Sequence, residues 1–288
     1  MMNPNAISPL ISAHDLSEIL SDEDVVVFDC RFSLTDLESG RREYDQGHIR
    51  GAHYAHLDND LSGPIEDGSA GRHPLPDRES FASFLADHGV SNSSMVISYD
   101  NSGGAFASRL WWMMHWMGHE SACVLNGGWQ AWQQLDISTS PADFQKSHEG
   151  VSPPRPSFQW ANNPPLETDA SELLSDEVIL IDSRSAERYE GKNEPIDPVA
   201  GHIPGAFNRP WMENLDDDQH FLAAENLKRR FESLGDQKKT LVFYCGSGVT
   251  ACHNALATQV AGLPMPKLYA PSWSGWISDP TRAVETSK

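Results

Sequence analysis

The chain has 288 residues, 39% hydrophobic and 22% charged, long enough for two ordinary domains, each with its own core. Forty-one acidic residues against 21 basic ones give a net charge of −20, which argues against nucleic acid or an anionic membrane as partner but leaves room for a small anion held by local charge. Four cysteines with no CxxC pair make neither a disulfide framework nor a metal site, so no metal is expected.

The N-terminus, MMNPNAISPLISAHDLSEIL, has no basic start and reads as neither a signal nor a transit peptide. No apolar run reaches membrane-spanning length, and a reducing cytoplasm with free thiols is the expected setting. Along the chain, VVVFD (25–29) suits a buried strand, and ESFASFLADHG (79–89) a helix closed by a glycine. MVISYD (95–100) and ACVLN (122–126) are further strands, and the Trp-rich run at 109–118 reads as core. A Pro-, Ser- and Asn-rich stretch at 138–165 follows, and a surface-wrapped linker is expected there. Beyond it come the strands VILID (178–182) and TLVFYC (240–245), the helices ENLKRRFESLG (225–235) and ACHNALATQVAG (251–262), and an acidic stretch, NLDDDQH (214–220), read as a solvated loop.

The two halves repeat. VVVFDCR, GHIRGA, MVISYDNSGG and LNGGWQAW return in the same order as VILIDSR, GHIPGA, TLVFYCGSGV and YAPSWSGW. Asp29 precedes His48 by 19 residues and Asp182 precedes His202 by 20. A duplicated α/β domain follows, each copy a mostly parallel sheet flanked by helices, with domains at 1–140 and 166–288 and a linker at 141–165.

The segment C-G-S-G-V-T at 245–250 sits between a strand and a helix, where α/β sheets bind ligands. Gly246 and Gly248 can take positive φ and bring backbone N–H groups around the sulfur. The following helix points its N-terminus at the same place, so Cys245 is expected to ionise more readily than a free thiol and to act as a nucleophile. An inert buried cysteine is the plain alternative. The duplication counts against it, because the first copy has Asp100 where the second has Cys245, so one copy is catalytic and the other architectural. A C-x5-R phosphatase is excluded, because the clamping arginine would fall on Ala251. Cys30, Cys123 and Cys252 read as core, Cys252 with a lesser reading as a resolving thiol.

These residues resemble the tandem-domain rhodaneses, which are sulfurtransferases, from D-C-R at 29–31 to W-S-G-W at 273–276. The C-G-S-G-V-T loop is similar to that of the branch taking 3-mercaptopyruvate. The thiosulfate branch usually carries C-R-K-G-V-T, with two cations where this chain has Gly246 and Ser247. The resemblance implies a persulfide on Cys245, release of pyruvate, and transfer of sulfur to cyanide, a thiol or a thioredoxin-like protein, with no cofactor. It implies substrate contacts at Arg188, Arg184, Gly246, Gly248, Val249 and Thr250. A surface or interface ion pair remains the alternative for both arginines. No arginine stands between Arg188 and His202, so either Arg188 suffices or the first domain supplies a second cation. Some members have a Ser–His–Asp arrangement, which here implies Ser247, His48 and, as a guess, Asp36. Because His202 repeats His48, a structural role in the turn is the other reading of that histidine. Two functions stay open beside the mercaptopyruvate reading: a thiosulfate sulfurtransferase, and a persulfide carrier that delivers sulfur to a partner without turning over small donors.

Overall fold

The structure, a computed structural model, describes residues 8–135, 157–161, 166–234 and 238–287. It divides into two compact units. The first comprises residues up to 62, then 76–163 and 217–220, and the second comprises 63–75, 164–216 and 221–288. The division departs from the expected domain limits in one consequential respect: residues 63–75, which lie in the first half of the chain, belong to the second unit.

The first unit holds strands β1 (Leu10–Ile11), β2 (Val25–Asp29), β3 (His53–Tyr54), β4 (Met95–Tyr99) and β5 (Ala122–Leu125), in the order β1-β5-β4-β2-β3. All pair in parallel. Helices α1 (Ala13–Ile19), α2 (Ser39–Gln46), α3 (Arg78–Asp87) and α4 (Ala107–Trp116) lie in the connections between these strands, and α5 (Gly128–Gln133) follows β5. The central strands β2 and β4 are apolar at four of five positions each, as suits a parallel sheet whose two faces are both covered by helices. Helix α3 starts where the Asp77 carboxylate accepts the Ser80 N–H at 2.8 Å and ends at Gly89, whose φ is +82°, as the glycine signal predicted. Trp111 and Trp112 of α4 are buried core residues, as expected from their run.

The second unit repeats the plan with β6 (Val178–Asp182), β7 (Phe207–Asn208), β8 (Thr240–Tyr244) and β9 (Lys267–Leu268), ordered β7-β6-β8-β9 and again parallel. Its helices are α6 (Ala186–Tyr189), α7 (Ala224–Glu232), α8 (Ala251–Val260) and α9 (Ser272–Trp276). The glycine expected to end α7, Gly235, lies outside the described residues. Most of the expected linker also lies outside them. Its described part, 157–161, is anchored rather than loose: Phe158 is buried and the Ala161 N–H donates to Met117 O at 3.0 Å. Asn214, expected in a solvated loop, is fully buried, its Nδ2 donating to Asn254 Oδ1 at 2.6 Å.

The repeated motifs form one hub in each unit. In the first, Arg31 grips Asp29 through Nε and Nη2, donates from Nη2 to Gly47 O at 2.7 Å, and stacks 4.7 Å from the Trp129 ring centre. The Tyr99 hydroxyl donates to Asp29 and accepts the Ile49 N–H at 3.1 Å. In the second, Arg184 grips Asp182, donates to Gly201 O at 2.6 Å and stacks 4.7 Å from Trp273, while Tyr244 accepts the Ile203 N–H at 3.1 Å. Thus D-x-R, G-H-I and the aromatic positions are scaffold. They tie the C-terminal ends of the central strands to the following turns, which is where each unit presents its loop.

Candidate active site

Cys245 directly follows β8 and is 1% exposed. Its N–H donates to Ser272 Oγ at 3.1 Å, and its carbonyl accepts the Trp273 N–H at 3.0 Å. The Gly246 carbonyl accepts the Ser274 N–H at 2.9 Å, so the short helix α9 clamps the start of the loop. Gly248 has φ +78°, and a Cβ there would lie 2.3 Å from Ala270 O, so only glycine fits. Gly246 does not share the positive φ expected of it. Its requirement is one of space: a Cβ at Gly246 would stand 3.0 Å from Arg72 Nη2 and 3.4 and 3.5 Å from Arg188 Nη2 and Nη1. Val249 is buried, and Thr250 occupies the N-cap of α8 without a side-chain cap bond.

The first copy shows what such a loop is shaped to hold. The Asp100 carboxylate accepts four backbone N–H groups, from Ser102 and Phe106 at 2.8 Å and from Gly104 and Ala107 at 2.9 Å. A strand-to-helix turn of this kind is an anion cradle, and in the first unit it is filled by its own carboxylate. Cys245 stands at the equivalent position of the second.

Two residues that sequence reasoning missed complete the site. His73 Nδ1 lies 2.7 Å from Ser247 Oγ, and both side chains are 7% exposed. Arg72, beside it, is oriented by its backbone N–H donating to Ser274 Oγ at 3.1 Å. Close backbone packing makes this possible. A Cβ at Gly71 would meet Pro271 O at 2.4 Å, and one at Gly275 would meet Ser69 O at 2.6 Å. The available signal was G-R-H at 71–73, a cation and an imidazole in a stretch with no counterpart in the other half.

His48 is therefore not the histidine at Ser247. Its Nδ1–H donates to Tyr44 O at 2.7 Å and its ring stacks on Tyr44 with centres 3.7 Å apart. His202 does the same with Tyr189, at 2.7 and 3.7 Å, so the repeated histidine holds a turn in both copies. Burial lowers the His48 pKa, consistent with a neutral ring donating to a carbonyl. Asp36 pairs with exposed Arg42 in the first unit.

Arg188 converges on Gly246, but Arg184 does not reach the loop surface. Its side chain is 1% exposed and is spent on Asp182, Gly201 O and Glu194 Oε2, the last at 3.1 Å. Arg31 makes the matching Asp29 and Gly47 contacts in the copy that has Asp100 in place of the loop cysteine, so the contacts of Arg184 are those of the repeated scaffold. Arg188 is held by Glu194, whose oxygens accept from Nε at 2.9 and 3.1 Å, and by Asp197 Oδ2, which accepts from Nη2 at 3.0 Å. The other Asp197 oxygen accepts from Arg72 Nη1. Burial raises the Asp197 pKa against the pull of the arginines. At Glu194 burial also pushes upward, but the Arg188 hydrogen bond and the Asp197 and Ile196 N–H donors outweigh it and the pKa falls.

Residues 12–135 and 167–279 each match the rhodanese-like domain. The chain is 45% identical over 285 residues to a Pseudomonas aeruginosa protein named "Probable 3-mercaptopyruvate sulfurtransferase", covering 96% of this chain and 98% of that one. It is 31% identical over 277 residues to the thiosulfate sulfurtransferase of Gallus gallus, covering 93% of each chain. Among solved structures, SseA from Escherichia coli, a 3-mercaptopyruvate sulfotransferase, superimposes with a TM-score of 0.75 at 29% identity, covering 93% of this chain and 99% of that one.

Proposed function

The chain belongs to the rhodanese family, and from that premise we propose that it is a 3-mercaptopyruvate sulfurtransferase working through a persulfide on Cys245. The observation that carries the reading is the convergence of Arg72 and Arg188 on Gly246, beside a cysteine in an anion-cradling loop. Two guanidiniums there receive the donor's carboxylate. The loop itself, C-G-S-G-V-T, brings no charged side chain of its own, which suits a singly charged donor with a polar carbonyl.

In the first half-reaction the Cys245 thiolate attacks the donor sulfur and the C–S bond breaks. The bonding pair passes to carbon as the enolate of pyruvate, and a proton, in balance the one lost from the thiol, completes the methyl group. Ser247 donates to the carbonyl oxygen as negative charge builds, with its hydroxyl held by His73. The loop N–H groups receive the charged persulfide as their counterparts receive the Asp100 carboxylate. In the second half-reaction an acceptor thiolate or cyanide takes the outer sulfur and Cys245 leaves as thiolate, giving ping-pong kinetics. The acceptor class is a small thiol, cyanide or a thioredoxin-like protein. A reducing cytoplasm suits the four cysteines, which are buried and form no disulfide.

The test is kcat/KM for 3-mercaptopyruvate and for thiosulfate on one preparation, beside Cys245→Ser. A mercaptopyruvate preference of about a hundredfold, abolished in the variant, is the expected result. Thiosulfate preference overturns the donor assignment, and turnover by the variant overturns the nucleophile.

A further inference from the structure

Asp197 is the group around the clamp that anchors both arginines at once. Its side chain is 2% exposed, with one oxygen on Arg72 Nη1 and the other on Arg188 Nη2. Its own N–H donates to Glu194 Oε1 at 3.1 Å, so the two carboxylates form one unit behind the two guanidiniums. The nitrogens left over, Arg72 Nη2 and Arg188 Nη1, donate to none of the described residues, and they lie 3.0 and 3.5 Å from a Cβ built on Gly246, with the paired Arg188 Nη2 at 3.4 Å.

The charges balance. Arg72 and Arg188 are met by Asp197 and Glu194, and behind them Arg184 is met by Asp182. A donor at Gly246 therefore finds directional N–H donors but no uncompensated positive charge. One carboxylate satisfies the two unused nitrogens. A second negative charge on the same donor faces the Asp197 carboxylate behind the clamp without a cation of its own, and like charge in a part-buried site opposes it.

We infer that Asp197 sets the charge of the donor: as the fixed counter-anion of Arg72 and Arg188, it admits a monoanion and penalises a dianion. This rests on the sulfurtransferase reading of the same site. Specificity here comes from repulsion of the wrong donor as much as from attraction of the right one.

The test compares wild type, Asp197→Asn and Asp197→Glu. Asparagine is close in shape and keeps an oxygen for one arginine while removing the charge. In Asp197→Asn the ratio of kcat/KM for thiosulfate to that for 3-mercaptopyruvate rises tenfold or more, and in Asp197→Glu it stays within about threefold of wild type. Inhibition by sulfate against 3-mercaptopyruvate provides a second readout that needs no thiosulfate chemistry, and in Asp197→Asn its Ki falls by a similar factor while that of acetate moves less than threefold. Thermal melts establish that each variant is folded. Should Asp197→Asn fail to fold, Asp197→Ser is read by the same ratio. Equal losses for both donors, with sulfate inhibition unchanged, overturn the inference and leave Asp197 a structural brace. Failure of the underlying reading looks different: wild type then turns over neither donor, or Cys245→Ser retains activity.

Discussion

Replacing Ser247 with alanine isolates one hydroxyl. In the folded chain its Oγ lies 2.7 Å from His73 Nδ1 with both side chains 7% exposed, so the group is preorganised and dry. Losing one such donor to a developing oxyanion costs about 2.7–4 kcal/mol, or 10² to 10³ in rate. A neutral serine belongs at the lower end, so kcat for 3-mercaptopyruvate is expected to fall about a hundredfold. KM stays within a few fold, because the bond strengthens only as the enolate forms. Thiosulfate has no carbonyl to polarise, and its turnover falls by less than about fivefold on the same principle. Removing a buried partner from His73 also costs about 1–3 kcal/mol of stability, which a thermal melt separates from the kinetic effect. The assay is single-turnover pyruvate release, with Ser247→Thr as the conservative control that restores part of the rate. Equal losses with the two donors, or a loss under threefold with 3-mercaptopyruvate, refute the role given to Ser247.

Gly248→Ala forces a side chain into φ +78° and against Ala270 O at 2.3 Å; the left-handed backbone alone costs about 1–2 kcal/mol, so the urea midpoint falls and persulfide formation slows as the loop shifts. Asp100→Ala leaves four N–H groups of the first unit without their acceptor and is expected to cost at least about 3 kcal/mol, read from urea unfolding, which would make the inactive loop one of the least tolerant sites in the chain. The depressed Glu194 pKa means its stabilisation is fully present above the ordinary glutamate range and lost as pH falls through the lower folded value. Melts of wild type and Glu194→Gln between about pH 3 and 6 therefore converge toward the acid end, the wild type losing the more, whereas parallel curves would refute the coupling.

The strands and helices were legible because their signals are local. VVVFD, MVISY, VILID and TLVFY are apolar at all but one position each and read as buried parallel strands once helices lay between them. Cys245 was legible for a different reason: the two copies act as a control for each other. Whatever both retain, such as Arg31 with Arg184 or His48 with His202, serves the fold, and the structure gives each pair the same partners. What only one copy has is the candidate chemistry, and Asp100 against Cys245 is that difference. By the same rule His48 and Arg184, each repeated in the other copy, fall on the scaffold side of the two readings open for them, and their contacts agree with that side.

The same comparison explains why Arg72 and His73 stayed hidden. It assigns residues to units by their place in the chain, and 63–75 breaks that rule: the segment follows the first G-H-I motif in sequence but belongs to the second unit in space. What holds it there is backbone against backbone at Gly71 and Gly275, and close approach of that kind leaves no periodicity to read. Glu194 and Asp197 were overlooked for a related reason. The loop at 190–200 carries no arginine, and it supplies anions that hold cations arriving from elsewhere. Charge complementarity is a property of the assembled site. A missing arginine in one segment is therefore better read as a question about which other segment brings a cation to the site, and the one beside Gly246 is Arg72, aligned by the hydroxyl of Ser274, the residue whose N–H caps the Gly246 carbonyl.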